Sequence, residues 1–388
     1  MSNAIHADVA VVGLGAMGAA ALYQLARRGV RAVGIDRFAP PHQLGSSHGE
    51  TRITRQAVGE GAAYVPFVTK SHEIWRELEA ETGETLLVES GALIMDPGGA
   101  PSSHHGKPDF VARTAQAATD YGIEHETFGA DEARRRFPQF AVAEDVQAYY
   151  EPRAGYVIPE RCIAAQLTLA RALGADVRLG EMATSVAQAG DGVEIGLDGG
   201  VIRADRVIVT AGAWIGPLLG PPFNRLLQVK RQTLHWFETE EDASFGERPP
   251  VFIWMHGAGD SDYLYGFPPS GGRIKVASEQ YAISTTAGSV DRIVRPQESV
   301  EMFAAHVRGR IRGVTSKVAK AAACVYTVTP DFGFIIDEHP SQDRITVVSA
   351  CSGHGFKHSA GVGFAVAEQA VTGRSVIDLS PFSIGRFV

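Results

Sequence analysis

The sequence predicts an α/β chain: a discontinuous Rossmann-like dinucleotide-binding domain joined to a second domain built on an antiparallel sheet plus helices. Three observations carry this. A glycine fingerprint lies between two apolar strands within the first 36 residues. Strand-like pieces separated by Gly and Pro turns fill 230–276, a texture of antiparallel sheet. Buried-strand runs and a helix return near the C-terminus, so the chain enters, leaves and re-enters the nucleotide domain. A chain of 388 residues is long enough for two domains. The expected division gives 1–85, 147–220 and 320–388 to the nucleotide domain, and 86–146 and 221–319 to a substrate and catalytic domain.

In chain order, Val9 to Val12 is an apolar run suited to a buried parallel strand. Gly13, Gly15 and Gly18 follow as G-x-G-x-x-G. Gly13 permits a tight turn, Gly15 lets backbone approach a pyrophosphate, and Gly18 lets the next helix pack on the strand. Leu22, Leu25 and Ala26 give that helix an apolar face, Arg27 and Arg28 suit its C-terminal dipole, and Gly29 caps it. A second strand, Ala32 to Ile35, ends on Asp36, whose carboxylate can hold ribose hydroxyls. A lone fingerprint is weak evidence; the preceding strand, the capped helix and the well-spaced acid together indicate a dinucleotide.

Composition narrows the partners. A net charge of −8 weighs against general nucleic-acid binding. No apolar stretch approaches membrane-spanning length, and Asp8 interrupts the N-terminal apolar run, against a signal peptide. The three cysteines, Cys162, Cys324 and Cys351, argue against a disulfide framework and for a reducing cytoplasm.

Beyond Asp36, a Pro-, Gly- and Ser-rich loop, Pro40 to Gly49, leads into Glu50–Arg55, where Arg52 and Arg55 share a face if the segment is helical. Ser71 to Thr82 reads as a helix closed by Gly83, and Leu86 to Met95 as strands around Gly91. Gly98 to Pro108 reads as a loop. His104 and His105 lie in it with no acid or cysteine at metal spacing, so they are expected at the surface. Helices are expected at Asp109–Tyr121, Asp131–Arg136 and Pro159–Leu173, then short alternating strands over Asp176–Ala204.

Arg206 to Thr210 is another buried-strand run, ending in the small-residue corner Ala211-Gly212-Ala213-Trp214. That corner suits either a second approach to a flat cofactor or a simple strand-to-helix turn. Thr233–Phe237, Val251–Trp254, Tyr263–Phe267 and Ile274–Val276 are the strand pieces of the second domain. Lys275 stands in the last of these, between apolar neighbours, as a functional cation or part of a solvated face. A helix over Pro296–Arg310 precedes Ala321–Val328, Phe332–Asp337, the strand Ile345–Ser349 and a final helix, Ser359–Val371. Ser352 to Lys357 places glycines ahead of that helix, whose N-terminus carries about half a positive charge and favours anions. His354 there is either functional or a packed loop histidine.

With GLGAMG, FAPPHQLGSSHGETRITR, GEGAAYVP, YGFP, AACVYT, FGFIID and SGHGFKHSAGVG in this order, the chain resembles the monomeric sarcosine oxidase and N-methyltryptophan oxidase family of D-amino acid oxidase-like flavoproteins over essentially its whole length. The resemblance implies FAD, bound covalently as a cysteinyl thioether at Cys324. Cys162, on an amphipathic helix, is read as a small buried hydrophobe. His48 and Arg52 take positions close to the isoalloxazine, and Gly353, His354, Gly355, Phe356 and Lys357 form the flavin-facing loop. Arg55 and Lys357 match the cations that pair with the amino acid carboxylate. Tyr265 matches a tyrosine of the substrate pocket, and Lys275 the lysine where O2 is activated.

Two positions depart from the pattern: Ser47 replaces a histidine, and so does Glu279. Glu279 changes the charge of the pocket and leaves the particular substrate open; it either balances Lys275 or faces the substrate. The implied reaction oxidises an N-methyl or other secondary amino acid to an imine, which water hydrolyses, and reduces O2 to H2O2. The implied partners are a small amino acid and O2, with no nucleic acid and no membrane, and a cytoplasmic monomer is expected. The rival readings are a flavin dehydrogenase serving another acceptor, an NAD-dependent dehydrogenase and a non-catalytic flavoprotein. Lys275 argues against the first, and Cys324 with the C-terminal motifs against the second.

Overall fold

The computed structural model describes residues 5–98, 103–105, 107–259 and 261–387. Its first large sheet runs in the order Asp176–Leu179, Ala32–Asp36, Ile5–Val12, Gly200–Val209, Gly192–Leu197 and Ala183–Ala189. Gln342–Ser349 pairs with Gly200–Val209 and with Ile335–His339. The central strand is parallel to both neighbours, with Val12 opposite Ile35 on one side and Val209 on the other. It is apolar throughout because both faces are covered. Val9 and Val11 join one core with the helices Ala16–Arg27 and Val65–Thr82, while Ala10 and Val12 join another behind the sheet.

The second sheet runs Ser284–Thr285, Gln228–Thr239, Arg273–Ala277, Tyr263–Gly266, Val251–Met255, Ala92–Pro97, Val146–Glu151 and Glu126–Gly129, with Val314–Val328 also pairing to Gln228–Thr239. These pairs are antiparallel apart from Val251–Met255 beside Ala92–Pro97, which is parallel. Phe237, Phe252, Trp254 and Phe303 fill one face. The expected boundaries at 147 and 320 fall inside the strands Val146–Glu151 and Val314–Val328 of this sheet.

Several local expectations change. Arg52–Thr54 is a strand, paired antiparallel with Gly155–Val157, so Arg52 and Arg55 do not share a helical face. Ile53 and Thr54 are β-branched and suit that pairing. The helix expected from Ser71 begins earlier, spanning Val65–Thr82, with Pro66 in its first turn and Gly83 left-handed at its end. The helix from Pro296 is α-helical only to Met302 and continues as a π-turn, Phe303–Val307. Of the loop 98–108, residues 99–102 and 106 lie outside the described residues; Ser103–His104 pairs with Lys107–Pro108. The other helices, Phe110–Asp120, Ala130–Arg136, Pro159–Ala172 and Ser359–Thr372, fall where expected to within a residue at most ends.

Candidate active site

The nucleotide end is built from the turn after the first strand. Gly13 has φ +93°, and a Cβ on Gly18 would lie 1.8 Å from Gly13 O and 2.5 Å from Thr210 Oγ1, so only glycine lets the helix start there. A Cβ on Gly15 would meet only Ser47 Oγ, at 3.9 Å, and open space beyond. Asp36 accepts hydrogen bonds from Leu14 N at 2.7 Å and Phe38 N at 2.8 Å, which fix its carboxylate at the strand end. Burial raises its carboxyl, and those two backbone bonds oppose the rise.

Gly13, Gly15 and Asp36 line a cavity of about 490 Å³ that also reaches Ala211–Trp214, Ser46, Ser47 and Arg52. Its wall also includes Arg55, Tyr265, Glu279, Gly353, His354, Gly355, Phe356 and Lys357. This cradle fits FAD: it joins an open-sided glycine turn to a strand-end acid, and next in sequence to its lining residue Ser47 stands a buried histidine, His48, whose Nε2 has no partner among the described residues. Burial, with Arg52 and Lys275 adding positive charge nearby, lowers His48 to about 3, so it is neutral. Arg52 donates to Thr51 O and Ser46 O, both at 2.9 Å, and so braces the loop.

Lys275 does not lie on a solvated face. It is 4% exposed, and its Nζ donates to Gly49 O at 2.6 Å, Thr51 O at 2.8 Å and Thr51 Oγ1 at 3.2 Å. The ammonium also stands 4.5 Å from the Phe267 ring centroid and 5.4 Å from that of Trp236. Burial and the Arg52 charge push it well below the usual lysine range.

Arg55 and Lys357 come together through a residue sequence reasoning did not single out. Glu60 Oε2 accepts from Arg55 Nη2 at 2.7 Å, and Oε1 accepts from Lys357 Nζ at 3.3 Å. Arg55 also donates to Ala57 O, and Lys357 to His354 O at 3.0 Å. All three side chains are buried. Burial raises the Glu60 carboxyl, but the two cations outweigh it and hold it well below the usual carboxylate range. Burial brings Lys357 down to about 8, although Glu60 opposes the fall. The only signal for Glu60 was its place in GEGAAYVP, shortly after Arg55.

The surface reading of His104 and His105 is overturned. His104 is 7% exposed, stacks on Tyr263 at 4.5 Å and meets the edge of Phe110 at 4.8 Å. His105 stacks on Phe332 at 5.1 Å. Its Nε2 lies 2.9 Å from Glu279 Oε2 and 3.0 Å from Tyr281 OH. Apolar ring faces drew both imidazoles inward, and the polar, glycine-rich sequence around them gives no sign of it. Glu279 therefore has His105 as its partner, and Lys275 is not among its neighbours. Burial raises the Glu279 carboxyl, and His105, His104 and Tyr281 together bring it to about 2. The expectation that no acid stands near the histidines also falls: ligand atoms of Glu60, His104 and His105 lie within 4.8 Å of one another. Both Glu60 oxygens already bind cations, which disfavours a metal ion there.

Tyr265 OH lies 3.5 Å from Tyr326 OH, and burial pushes its phenol up to about 12. Cys324 is 1% exposed, two residues before Tyr326 on Val314–Val328, so both side chains stand on one face of the strand. Tyr326 and the half-buried Cys351 are on the cavity wall. Cys162 is fully buried within its helix. His354 stacks on Phe334 at 4.8 Å with Nε2 3.0 Å from Phe332 O, a packed loop histidine that also lines the cavity.

The chain is similar to known proteins over nearly its whole length. A family profile described as "FAD dependent oxidoreductase" matches residues 8–369. A monomeric sarcosine oxidase of Bacillus sp. (strain B-0618) is 36% identical over 98% of this chain and 96% of its own length. The N-methyl-L-tryptophan oxidase of Yersinia pestis (strain Pestoides F) is 32% identical over 98% of this chain and 99% of its own. Among solved structures, NikD, an unusual amino acid oxidase essential for nikkomycin biosynthesis, superposes with a TM-score of 0.84 at 22% identity, covering 98% of this chain and 97% of NikD.

Proposed function

From the premise that the chain belongs to the FAD-dependent oxidoreductase family, we propose that it oxidises N-methyl or other secondary amino acids to imines with O2 as acceptor, giving H2O2. The observation that carries this reading is the single cavity joining the glycine cradle to a buried cation pair. FAD, when bound, supplies the electron-accepting ring and passes the electrons on to O2. Gly13, Gly15, Asp36, His48, Arg52 and the 353–357 loop would hold it. Arg55 and Lys357 orient the substrate by its carboxylate, and Tyr265 bounds the site beside them. Lys275 supplies a fixed positive charge for O2 reduction. The first division of the chain serves the cofactor and lends Arg55 and Lys357 to the substrate end, and the second supplies Tyr265 and Lys275. We further take the protein to be a cytoplasmic monomer; among the described residues no helix is long and apolar enough to cross a membrane. O2 uptake and H2O2 production across a panel of N-methyl and cyclic amino acids test the reading. A panel oxidised only with artificial acceptors would replace the oxidase by a dehydrogenase.

Cys324 is the proposed covalent attachment, supported by its place in AACVYT and on the face of Tyr326. Acid precipitation of fully loaded protein should leave the yellow colour in the pellet. Flavin in the supernatant overturns the assignment. Cys324→Ala should release it, whereas Cys351→Ala should not; the reverse would move the attachment to Cys351.

Lys357 sets a pH limit. It pairs with an anion only when protonated, and burial brings it to about 8. The kcat/KM of the free enzyme should therefore fall as pH rises through about 8. Lys357→Arg should carry that alkaline limb upward, since guanidinium stays charged. An unmoved limb assigns it to another group.

A further inference from the structure

Lys275 can serve O2 only while it is charged, and burial and the nearby Arg52 both work against that charge. Of the other titratable groups near it, Cys324 is uncharged, since burial raises its thiol, and His48 is neutral. Glu50 is already engaged: its oxygens accept from Trp236 Nε1 at 2.8 Å and Lys320 Nζ at 2.6 Å, with Arg273 Nη2 3.5 Å away. Glu160 remains. It stands in the first turn of Pro159–Ala172 and reaches the loop that holds the lysine. Its Oε1 accepts from Gly49 N at 2.7 Å and Glu50 N at 3.1 Å. Its Oε2 is buried with no hydrogen-bond partner among the described residues.

Gly49 O and Glu50 N belong to one peptide unit, and a trans peptide points its C=O and N–H in opposite directions. The carbonyl of that unit accepts from Lys275 Nζ at 2.6 Å, while its N–H donates to the Glu160 carboxylate. A single planar group thus lies between ammonium and carboxylate, and each bond polarises the other. The left-handed turn at Gly49 and Glu50 brings two successive N–H groups onto one oxygen, an arrangement that favours an anion. We propose that Glu160 is the counter-ion of Lys275, acting through the Gly49–Glu50 peptide to hold the ammonium in place, and is thereby a positioning residue for the reaction with O2. Its part in that reaction rests on the assignment of Lys275 to O2; the pairing itself does not.

The test compares the parent holoenzyme with Glu160→Gln, which keeps an oxygen for both N–H groups and removes the charge. Lysine labelled with carbon-13 at Cε, its Lys275 signal assigned by loss in Lys275→Met, reports the titration of this side chain by NMR. Lys275 should titrate about 0.7–1 pH unit lower in the variant, the margin by which a charged acceptor exceeds a neutral one. In stopped flow the alkaline limb of flavin reoxidation by O2 should move down with it. Reoxidation above that limb then slows about 5- to 10-fold, while anaerobic reduction by substrate is kept. In a Lys275→Met background the same substitution should change reoxidation no further, because Glu160 acts through the lysine. An unmoved Lys275 titration overturns the proposal. So does equal slowing of reoxidation with and without Lys275, which would make Glu160 a support of the loop alone. If Glu160→Gln does not fold, Glu160→Asp decides: its shorter reach should also lower the titration, and an unmoved one again overturns the pairing. A titration that moves while Lys275→Met reoxidises at the parent rate upholds the pairing and defeats the assignment of Lys275 to O2 instead.

Discussion

In Lys275→Met, reduction of the flavin by substrate under anaerobic conditions should keep most of its rate, while reoxidation by O2 slows about a hundredfold or more. Reduction of O2 builds negative charge in a closed site, and removing one fixed stabiliser of developing charge typically costs about that much. The three oxygens around Nζ and the rings of Phe267 and Trp236 hold the lysine against the low-dielectric cost of its burial. Stopped-flow measurement of the two half-reactions separates the outcomes. Equal slowing of both would make Lys275 a support of the whole site, and unchanged reoxidation would sink its assignment to O2. A drop in flavin content is checked first, since methionine removes the lysine's bonds to Gly49 O and Thr51 O and leaves them only Thr51 N and Arg52 as donors.

Arg55→Met should lower kcat/KM for amino acids mainly through KM. Truncating one partner of a buried, hydrogen-bonded charge pair costs about 2–5 kcal/mol, or roughly 30-fold to several thousandfold. Lys357 and Glu60 would remain as a pair, so the loss falls on the incoming carboxylate. The check is an N-methyl alkylamine of matched length without the carboxylate. Its already weak turnover should change far less than that of the amino acid. A common fall for both compounds would show that Arg55 acts by holding the Ala57–Glu60 turn.

Local chemistry made much of this legible. The fingerprint glycines, Asp36 and the capped first helix follow from backbone geometry that neighbouring residues dictate, and they stand where expected. The Lys275 strand was legible from its apolar flanks, although the reason a charge is tolerated there lies in a loop more than 200 residues earlier in sequence. His104 and His105 were misread for the same kind of cause. Their burial depends on Tyr263, Phe332 and Glu279, which only the folded chain brings near. Arg52 and Arg55 were compatible with helical spacing until pairing with Gly155–Val157 made the segment a strand. Glu60 carried no periodic signal, since its role is set by two cations that reach it from different parts of the chain.

The loop that holds Lys275 does so chiefly with main-chain carbonyls, and Gly49 and Glu50 both adopt left-handed conformations there, with φ 102° and 74°. Heredity acts on side chains, yet the groups at stake here are carbonyl oxygens that almost every residue type possesses. Drift through this loop can therefore exchange Thr51 while keeping the lysine's main-chain anchors. A β-branched residue at position 49 is another matter, because it would bend the path itself, and a Cβ there would already lie 2.6 Å from Leu234 Cδ1. Selection for a lysine held in this place should thus leave its mark on the shape of this loop more than on its lettering, and a descendant could change most of the loop's side chains and still anchor it.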